Sequence, residues 1–202
     1  MTYPAPPWLL KGFGFQTFQL SDVKEARLHI PKIFNIISIL PGKTPSGIYV
    51  AKYEQGSLSY SELIFIRGLV RFKSKIGFWC SPLFVDHPLS VQGGREIWHL
   101  PKQLADFHWK NREQVSINLT ESIINIHFYK KSKIGIPLSF SVPLLTENPA
   151  KIFFSKMKIS AKMKLCRTNI ILSDEKAASS LFSCYYEDLT VMAKAPHQQL
   201  EK

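Results

Sequence analysis

The stretch Tyr60-Ser61-Glu62-Leu63-Ile64-Phe65-Ile66-Arg67-Gly68-Leu69-Val70-Arg71-Phe72-Lys73-Ser74-Lys75 reads as one long strand or a bent pair. Its β-branched and aromatic residues suit an extended, half-buried chain. Glu62 falls in phase with Ile64, Ile66, Val70 and Phe72, whereas Arg67, Arg71 and Lys73 take the opposite phase. Side chains alternate across a strand, so Glu62 is expected on the apolar side of the sheet. A buried carboxylate must be protonated, hydrogen-bonded or paired with a cation. Two readings of Glu62 stay open on this ground: an acid or base facing a pocket, or a strand-end carboxylate that reaches solvent.

Outward from this segment, strands dominate. Pro4-Ala5-Pro6-Pro7-Trp8 is an extended lead-in, and Phe34 to Leu40 and Gly47 to Tyr53 read as strands separated by Pro41-Gly42-Lys43. Trp109 to Tyr129 reads as two strands hinged near Thr120-Glu121-Ser122, and Lys151 to Thr168 continues the pattern. Ile134 to Leu144 alternates well, and Pro137 and Pro143 place it at a sheet edge, because proline donates nothing to a ladder. Ser21 and Asp22 open a short helix through His29, with Asp22 and Glu25 at capping-box spacing and Pro31 as its stop. A second short helix is expected over Asp174 to Ser180. Many strands with few, short helices predict a mainly β (α+β) fold, a closed or strongly curved antiparallel β-barrel. No repeat, low-complexity tract or linker divides the 202 residues, so a single domain over 1–202 is expected, with a polar tail after Ala193 that frays.

Composition narrows the class. With 45% hydrophobic and 20% charged residues the chain is globular. No apolar run reaches the roughly 18–20 residues of a membrane span, and residues 1 to 20 lack a signal-peptide pattern. Cys80, Cys166 and Cys184 offer neither a disulfide framework nor a zinc site, which fits a reducing, cytoplasmic setting. The net charge of +11 owes much to Arg67, Arg71, Lys73 and Lys75 and to Lys156, Lys158, Lys162 and Lys164, the second set alternating with Met157, Ile159, Met163 and Leu165. That spacing gives cationic outer strand faces, which also discourage edge-to-edge pairing. No nucleic-acid motif or aromatic stacking platform accompanies the charge, so a nucleic-acid partner is not expected.

The second informative stretch is Gly93-Gly94-Arg95-Glu96-Ile97-Trp98-His99-Leu100-Pro101-Lys102-Gln103-Leu104-Ala105. The Gly-Gly pair and the proline read as loop punctuation. Lys102 stands among Trp98, Leu100 and Leu104, whereas the other lysines mostly keep polar company. Apolar surroundings disfavour an ammonium, and a neutral amine is a nucleophile toward carbonyls. Pro101 is expected to start a short helical turn, whose positive end would add to that effect. The six histidines show no metal-ligand spacing; His29, His87 and His127 read as surface or strand residues, and His99 is a candidate proton relay. No metal or cofactor is expected, since no phosphate loop, dinucleotide fingerprint or GxSxG elbow occurs.

The order Gly94-Arg95-Glu96, then Pro101-Lys102, resembles the active-site signature of the acetoacetate decarboxylase family, where the lysine forms a Schiff base. Tyr60-Ser61-Glu62 is similar to the family's Tyr-Thr-Glu, whose glutamate faces that lysine, and Ile30-Pro31 matches the Val-Pro ending its first helix. The likeness runs from about Trp8 to Phe107. It implies the family's β fold, Lys102 and Glu62 as catalytic residues, and Arg95, Glu96 and Pro101 as braces of the site. Lys11, Trp98, His99 and Gln103 are the substrate-binding candidates. The chain departs from the pattern at Gln103, where the family has a second lysine. It departs again at Gly12, beside Lys11, in the register of a substrate-binding arginine, and at His99, where relatives carry a small residue.

The resemblance implies a cofactor-independent lyase that decarboxylates a β-keto acid through a lysine Schiff base. Two alternatives stand beside it. One is an aldolase or dehydratase using the same iminium on a keto acid. The other is a non-catalytic protein holding a lipophilic, isoprenoid-like ligand in the same pocket, as loss of two cations would permit. A homo-oligomer is expected from relatives of the fold.

Overall fold

The computed structural model describes residues 2–172, 175–176 and 180–202. In chain order the elements are β1 (Trp8–Asp22), α1 (Val23–Ala26), β2 (Asn35–Ile36), β3 (Lys43–Gly56), β4 (Tyr60–Phe72), β5 (Lys75–Val85) and α2 (Pro88–Trp98). There follow β6 (Lys102–Leu104), β7 (Asp106–Asn111), β8 (Gln114–Asn118), β9 (Ile123–Tyr129), β10 (Ile136–Glu147), β11 (Lys151–Leu172), β12 (Glu175–Lys176), β13 (Phe182–Ala193) and β14 (Gln198–Glu201). The fold is mainly β, as expected. Among the described residues no helix is long and apolar enough to cross a membrane.

Pairing runs β10-β5-β4-β3-β1-β13-β11-β9-β8-β7, and a further β10–β11 ladder returns the path to β10. Seven strands therefore form a ring of pairings. Its joint between β5 and β10 is a single parallel pair, Leu144 with Phe78. Elsewhere β10 offers a free edge, which suits Pro137 and Pro143. β6 also pairs parallel, with β5, so the sheet is not antiparallel throughout.

Period-two alternation assigns the two faces of the ring. On β1, β3 and β4, Phe13, Phe15, Val50 and Leu63 pack outward against Val115, Ile117, Ile124 and Phe128 of the β7–β9 layer. The Phe15 and Phe128 rings stack with centroids 3.5 Å apart. The opposite phase, including Leu10, Tyr49, Ala51 and Tyr53, points into the ring. A third cluster forms around Phe34, Val70, Trp79 and Leu145.

Several local expectations are corrected. The run from Tyr60 to Lys75 splits at Lys73, which takes φ 50° and turns the chain from β4 into β5. Of Phe34 to Leu40 only Asn35–Ile36 forms a strand, with a lone bridge between Leu40 and Lys43, and the Arg27 guanidinium holds the carbonyls of Ile30, Pro31 and Phe34 on the approach to it. The helix expected through His29 ends at Ala26, and Asp22 makes no side-chain cap; its carboxylate instead lies 3.1 Å from Lys43 Nζ. Trp109 to Tyr129 lies in three strands, since the chain also turns at Arg112-Glu113, where Asn111 Oδ1 accepts from the Glu113 amide. Leu165, beyond the last β10–β11 pair, is exposed. The tail is tied down: Gln198–Glu201 pairs with Lys151–Phe154. Of the helix expected over 174–180, residues 174 and 177–179 lie outside the described residues, and Glu175–Lys176 forms a strand against β11.

The largest correction is α2, which occupies Pro88–Trp98 where a loop was expected. Pro88 at its start lacks an N–H that would have no partner there anyway, and His87 Nδ1 accepts from the Leu89 amide. The helix ends at His99, in the left-handed region at φ 53°, with the Leu100 amide donating to Gly94 O. Pro101 follows the helix and starts no new turn of its own.

Candidate active site

The site forms where α2, β4 and β6 meet. Lys102 opens β6 opposite Leu83 of β5, and strand alternation turns its side chain inward while Gln103 faces out. Glu62 on β4 pairs across the sheet with Ala51 on one side and Val85 on the other, so its side chain also enters the ring. The two meet: Lys102 Nζ lies 2.7 Å from Glu62 Oε1, with both side chains less than a tenth exposed.

Four hydroxyl-bearing side chains complete the polar cluster. Lys102 Nζ lies 3.1 Å from Ser90 Oγ and 3.5 Å from the Tyr60 hydroxyl, and 5.0 Å from the centre of the Tyr60 ring. The Tyr53 hydroxyl donates to Glu62 Oε2 at 3.3 Å and lies 3.1 Å from the Tyr49 hydroxyl. Burial pushes the Tyr49, Tyr53 and Tyr60 phenols far above their ordinary range, with Glu62 adding to the effect in each. Those three hydroxyls remain neutral donors.

The approach of α2 depends on its glycines. Ser90 and Gly94 are one turn apart and share the face toward Lys102. A methyl group at Gly93 would lie 2.6 Å from Trp8 Cζ2, so the helix reaches Trp8 only with glycine there. Trp8 and Trp98 meet edge to face at 4.8 Å, and their indole N–H groups donate to the carbonyls of Pro4 and Lys194. The polar edges are thereby satisfied and the apolar faces left to the cavity.

That cavity measures about 300 Å³ and is walled mainly by apolar side chains. Among the described residues that line it, Lys102 is the sole cation and Glu62 the sole carboxylate. Cys80 also lines it, with burial pushing its thiol up to about 12.

The remaining candidates separate into two groups. Trp98 lines the cavity, and Arg95 braces the site by donating from Nε to the Lys102 carbonyl at 2.8 Å. Glu96 lies on the outer side of α2, where hydrogen bonds from Tyr3 and Gln92 hold its carboxyl below the usual range. Lys11 and Gln103 are exposed and outside the cavity, since each stands one residue out of phase with an inward neighbour. His99 stacks on Phe153 at 3.8 Å, and partial burial lowers its pKa; its position is set by the helix end and not by Lys102. Ser90, Tyr49 and Tyr53 were missed from the sequence. Ser90 was readable only once residues 88–98 were known to be helical, and the tyrosines only from the inward phase of β3. No group of three His, Cys, Asp or Glu side chains among the described residues is placed to hold a metal ion.

Solved structures share this architecture. The acetoacetate decarboxylase of Legionella pneumophila subsp. pneumophila str. Philadelphia 1 is 15% identical with a TM-score of 0.62, over 98% of this chain and 90% of that one. The enduracididine biosynthesis enzyme MppR, complexed with pyruvate, is 12% identical with a TM-score of 0.60, over 98% of this chain and 91% of its own. MppR has also been solved with the condensation product of pyruvate and imidazole 4-carboxaldehyde, at 11% identity, a TM-score of 0.60 and coverage of 98% and 90%. At such identities the likeness is one of fold. No curated protein sequence matches the chain. The family model for acetoacetate decarboxylase matches residues 2–126, more than half of the sequence and the part that contains Glu62 and Lys102, and the chain belongs to the acetoacetate decarboxylase family.

Proposed function

We propose that the protein is a cofactor-independent lyase that captures a keto substrate as an iminium on Lys102 and releases CO2 from a β-keto acid. The observation that carries this reading is the buried 2.7 Å contact between Lys102 and Glu62 beside an apolar cavity. An amine attacks only without its extra proton, and transfer across that contact leaves a lone pair on Nζ and an acid on Glu62. Addition to the keto carbon gives a carbinolamine, and loss of water gives the iminium. The bond to the carboxylate then breaks, its electron pair moves into the enamine and CO2 departs. Glu62, the sole carboxylate among the described lining residues, gives its first proton to the departing hydroxyl, takes up another from solvent and delivers it to the enamine carbon. Water then releases the ketone and restores the amine. Ser90 and Tyr60 hold Nζ in place, and the strand ring acts as a strongly curved, barrel-like wall that excludes bulk water.

A second reading draws on one specific observation: the described lining residues include no further cation to hold a substrate carboxylate. This favours aldol or dehydration chemistry through the same iminium, or retention of a lipophilic ligand without turnover. Borohydride reduction in the presence of a panel of keto acids, read by intact mass and peptide mapping, tests the nucleophile. An adduct confined to Lys102 and lost in Lys102→Ala supports the enzyme readings. Adducts spread over surface lysines, or none with any carbonyl, overturn them.

A further inference from the structure

On the reading that Lys102 is a Schiff-base nucleophile, we infer that the ligand is a carbonyl compound with an apolar tail, about ten carbons in all, its carbonyl at Lys102 and its tail inside the ring. The size and the walls of the cavity carry this. Lys102 and Glu62 stand at one end, beside Tyr53 and Tyr60, which pair across β3 and β4. Phe18, Pro45, Ser46 and Ile66 mark the other end, where Gln19 pairs with Ser46 and Gly47 with Ile66. The cavity they bound measures about 300 Å³.

Its walls say what fills it. Ile64, Phe78, Val142, Met157 and Val191 also line it, with no charged group among them. A tail in this space is apolar, and the unbranched thioether of Met157 adapts to it. The Lys102 end is closed by Trp8, Leu100 and Ala193, all buried, whereas Phe18 and Pro45 at the other end are half-buried. The mouth therefore lies away from Lys102, and the carbonyl goes in first. At roughly 30 Å³ for a group the size of a water molecule or methylene, the cavity of about 300 Å³ holds about ten such groups. A two- to four-carbon ligand would leave most of the wall without partner atoms. Since the described lining residues offer no cation besides Lys102, binding strength comes from the tail, and remote contacts of this kind are what hold a reacting head in place.

Two measurements separate this inference from the reading it rests on. The first is binding of a 2-alkanone series from acetone to 2-tridecanone, followed by the fluorescence of Trp8 and Trp98, which line the cavity. Affinity is expected to rise about fourfold per methylene, as burial of each predicts, and to level off near nine to eleven carbons, where further carbons emerge at the mouth. The same series on Ile66→Phe, which narrows the mouth end, is expected to level off several carbons earlier. Affinity independent of length, or greatest for acetone, overturns the inference. The second measurement is borohydride trapping with 2-nonanone, 3-oxodecanoate and acetoacetate. Faster labelling of Lys102 by either long compound than by acetoacetate supports the tail, and the faster of the two identifies the head as neutral or carboxylated. Equal or faster labelling by acetoacetate overturns the tail while the nucleophile stands. Length-dependent binding without any adduct supports the tail and overturns the nucleophile.

Discussion

Gly94 and Lys102 are packed so closely that a methyl group at Gly94 would lie 2.6 Å from Lys102 Cδ and 2.9 Å from its Cε. The lysine has little room to move aside, because its Nζ is held by Glu62 and Ser90. Glycine inside α2 costs about 1 kcal/mol of helix propensity relative to alanine, and that cost goes into this contact.

Gly94→Ala is accordingly expected to separate activity from stability. The propensity gained by alanine offsets part of the strain, so the melting temperature should change by only a few degrees. Displacement of Nζ from Glu62 should slow borohydride trapping at Lys102 by tenfold or more, as loss of reactive geometry does. Unchanged trapping kinetics would show that Lys102 does not need this packing.

Glu62→Gln tests the partner. Glutamine preserves the shape and can accept from Lys102 and Tyr53, so the β4 pairing should persist by circular dichroism. It cannot exchange a proton with the amine. Turnover is expected to fall by about 10²-fold or more, as loss of an acid–base group does. Stability should fall as well, by about 3–5 kcal/mol in the range seen when one member of a buried ion pair is removed. Full activity in this variant would mean that Glu62 only satisfies the lysine electrostatically.

The inward turn of Glu62 could be read from its alternation with Ile64 and Ile66, although register shifts between Ile64 and Gly68 send Val70 and Phe72 to another cluster. The partner of Lys102 on α2 could not. Gly93 and Gly94 read as a loop by propensity, and only their contacts with Trp8 and Lys102, distant in sequence, explain glycine inside a helix. His87 and Pro88 start the helix, yet His87 read only as a surface or strand residue. The same holds for the approach to Asn35, where Arg27, eight residues back, bonds the carbonyls of Pro31 and Phe34. Gln103 is a different case: once Lys102 is placed inward on a strand, alternation puts Gln103 outside.

Gln103→Lys follows from that alternation. An ammonium at this exposed position projects to solvent, away from Lys102, where water and salt screen it. The pH profile of Lys102 labelling by a small carbonyl reagent should superimpose on that of the parent protein. A displacement of the profile by a full pH unit or more would show that the added charge reaches the cavity.

The tyrosine cluster behind Glu62 predicts the alkaline limit of the fold. Burial, with smaller contributions from Glu62, raises the Tyr49, Tyr53 and Tyr60 phenols above the ordinary value of 10.0. A group with a raised folded pKa binds its proton more tightly when folded, so its stabilisation is complete below the unfolded pKa and is lost as pH rises through the folded one. Stability from these groups should hold steady between pH 6 and 9 and decline above about pH 10. The slope should be on the order of 1 kcal/mol per pH unit for each tyrosine that ionises only on unfolding. Chemical denaturation at a series of pH values measures the decline. Tyrosinate absorbance near 295 nm should include a component that rises in one step with the loss of circular dichroism, since those three hydroxyls ionise when the ring opens. Gradual ionisation of all seven tyrosines near pH 10 with the fold intact would show that water reaches the hydroxyls beside Lys102 and Glu62, and the apolar cavity on which the amine chemistry depends would not be dry.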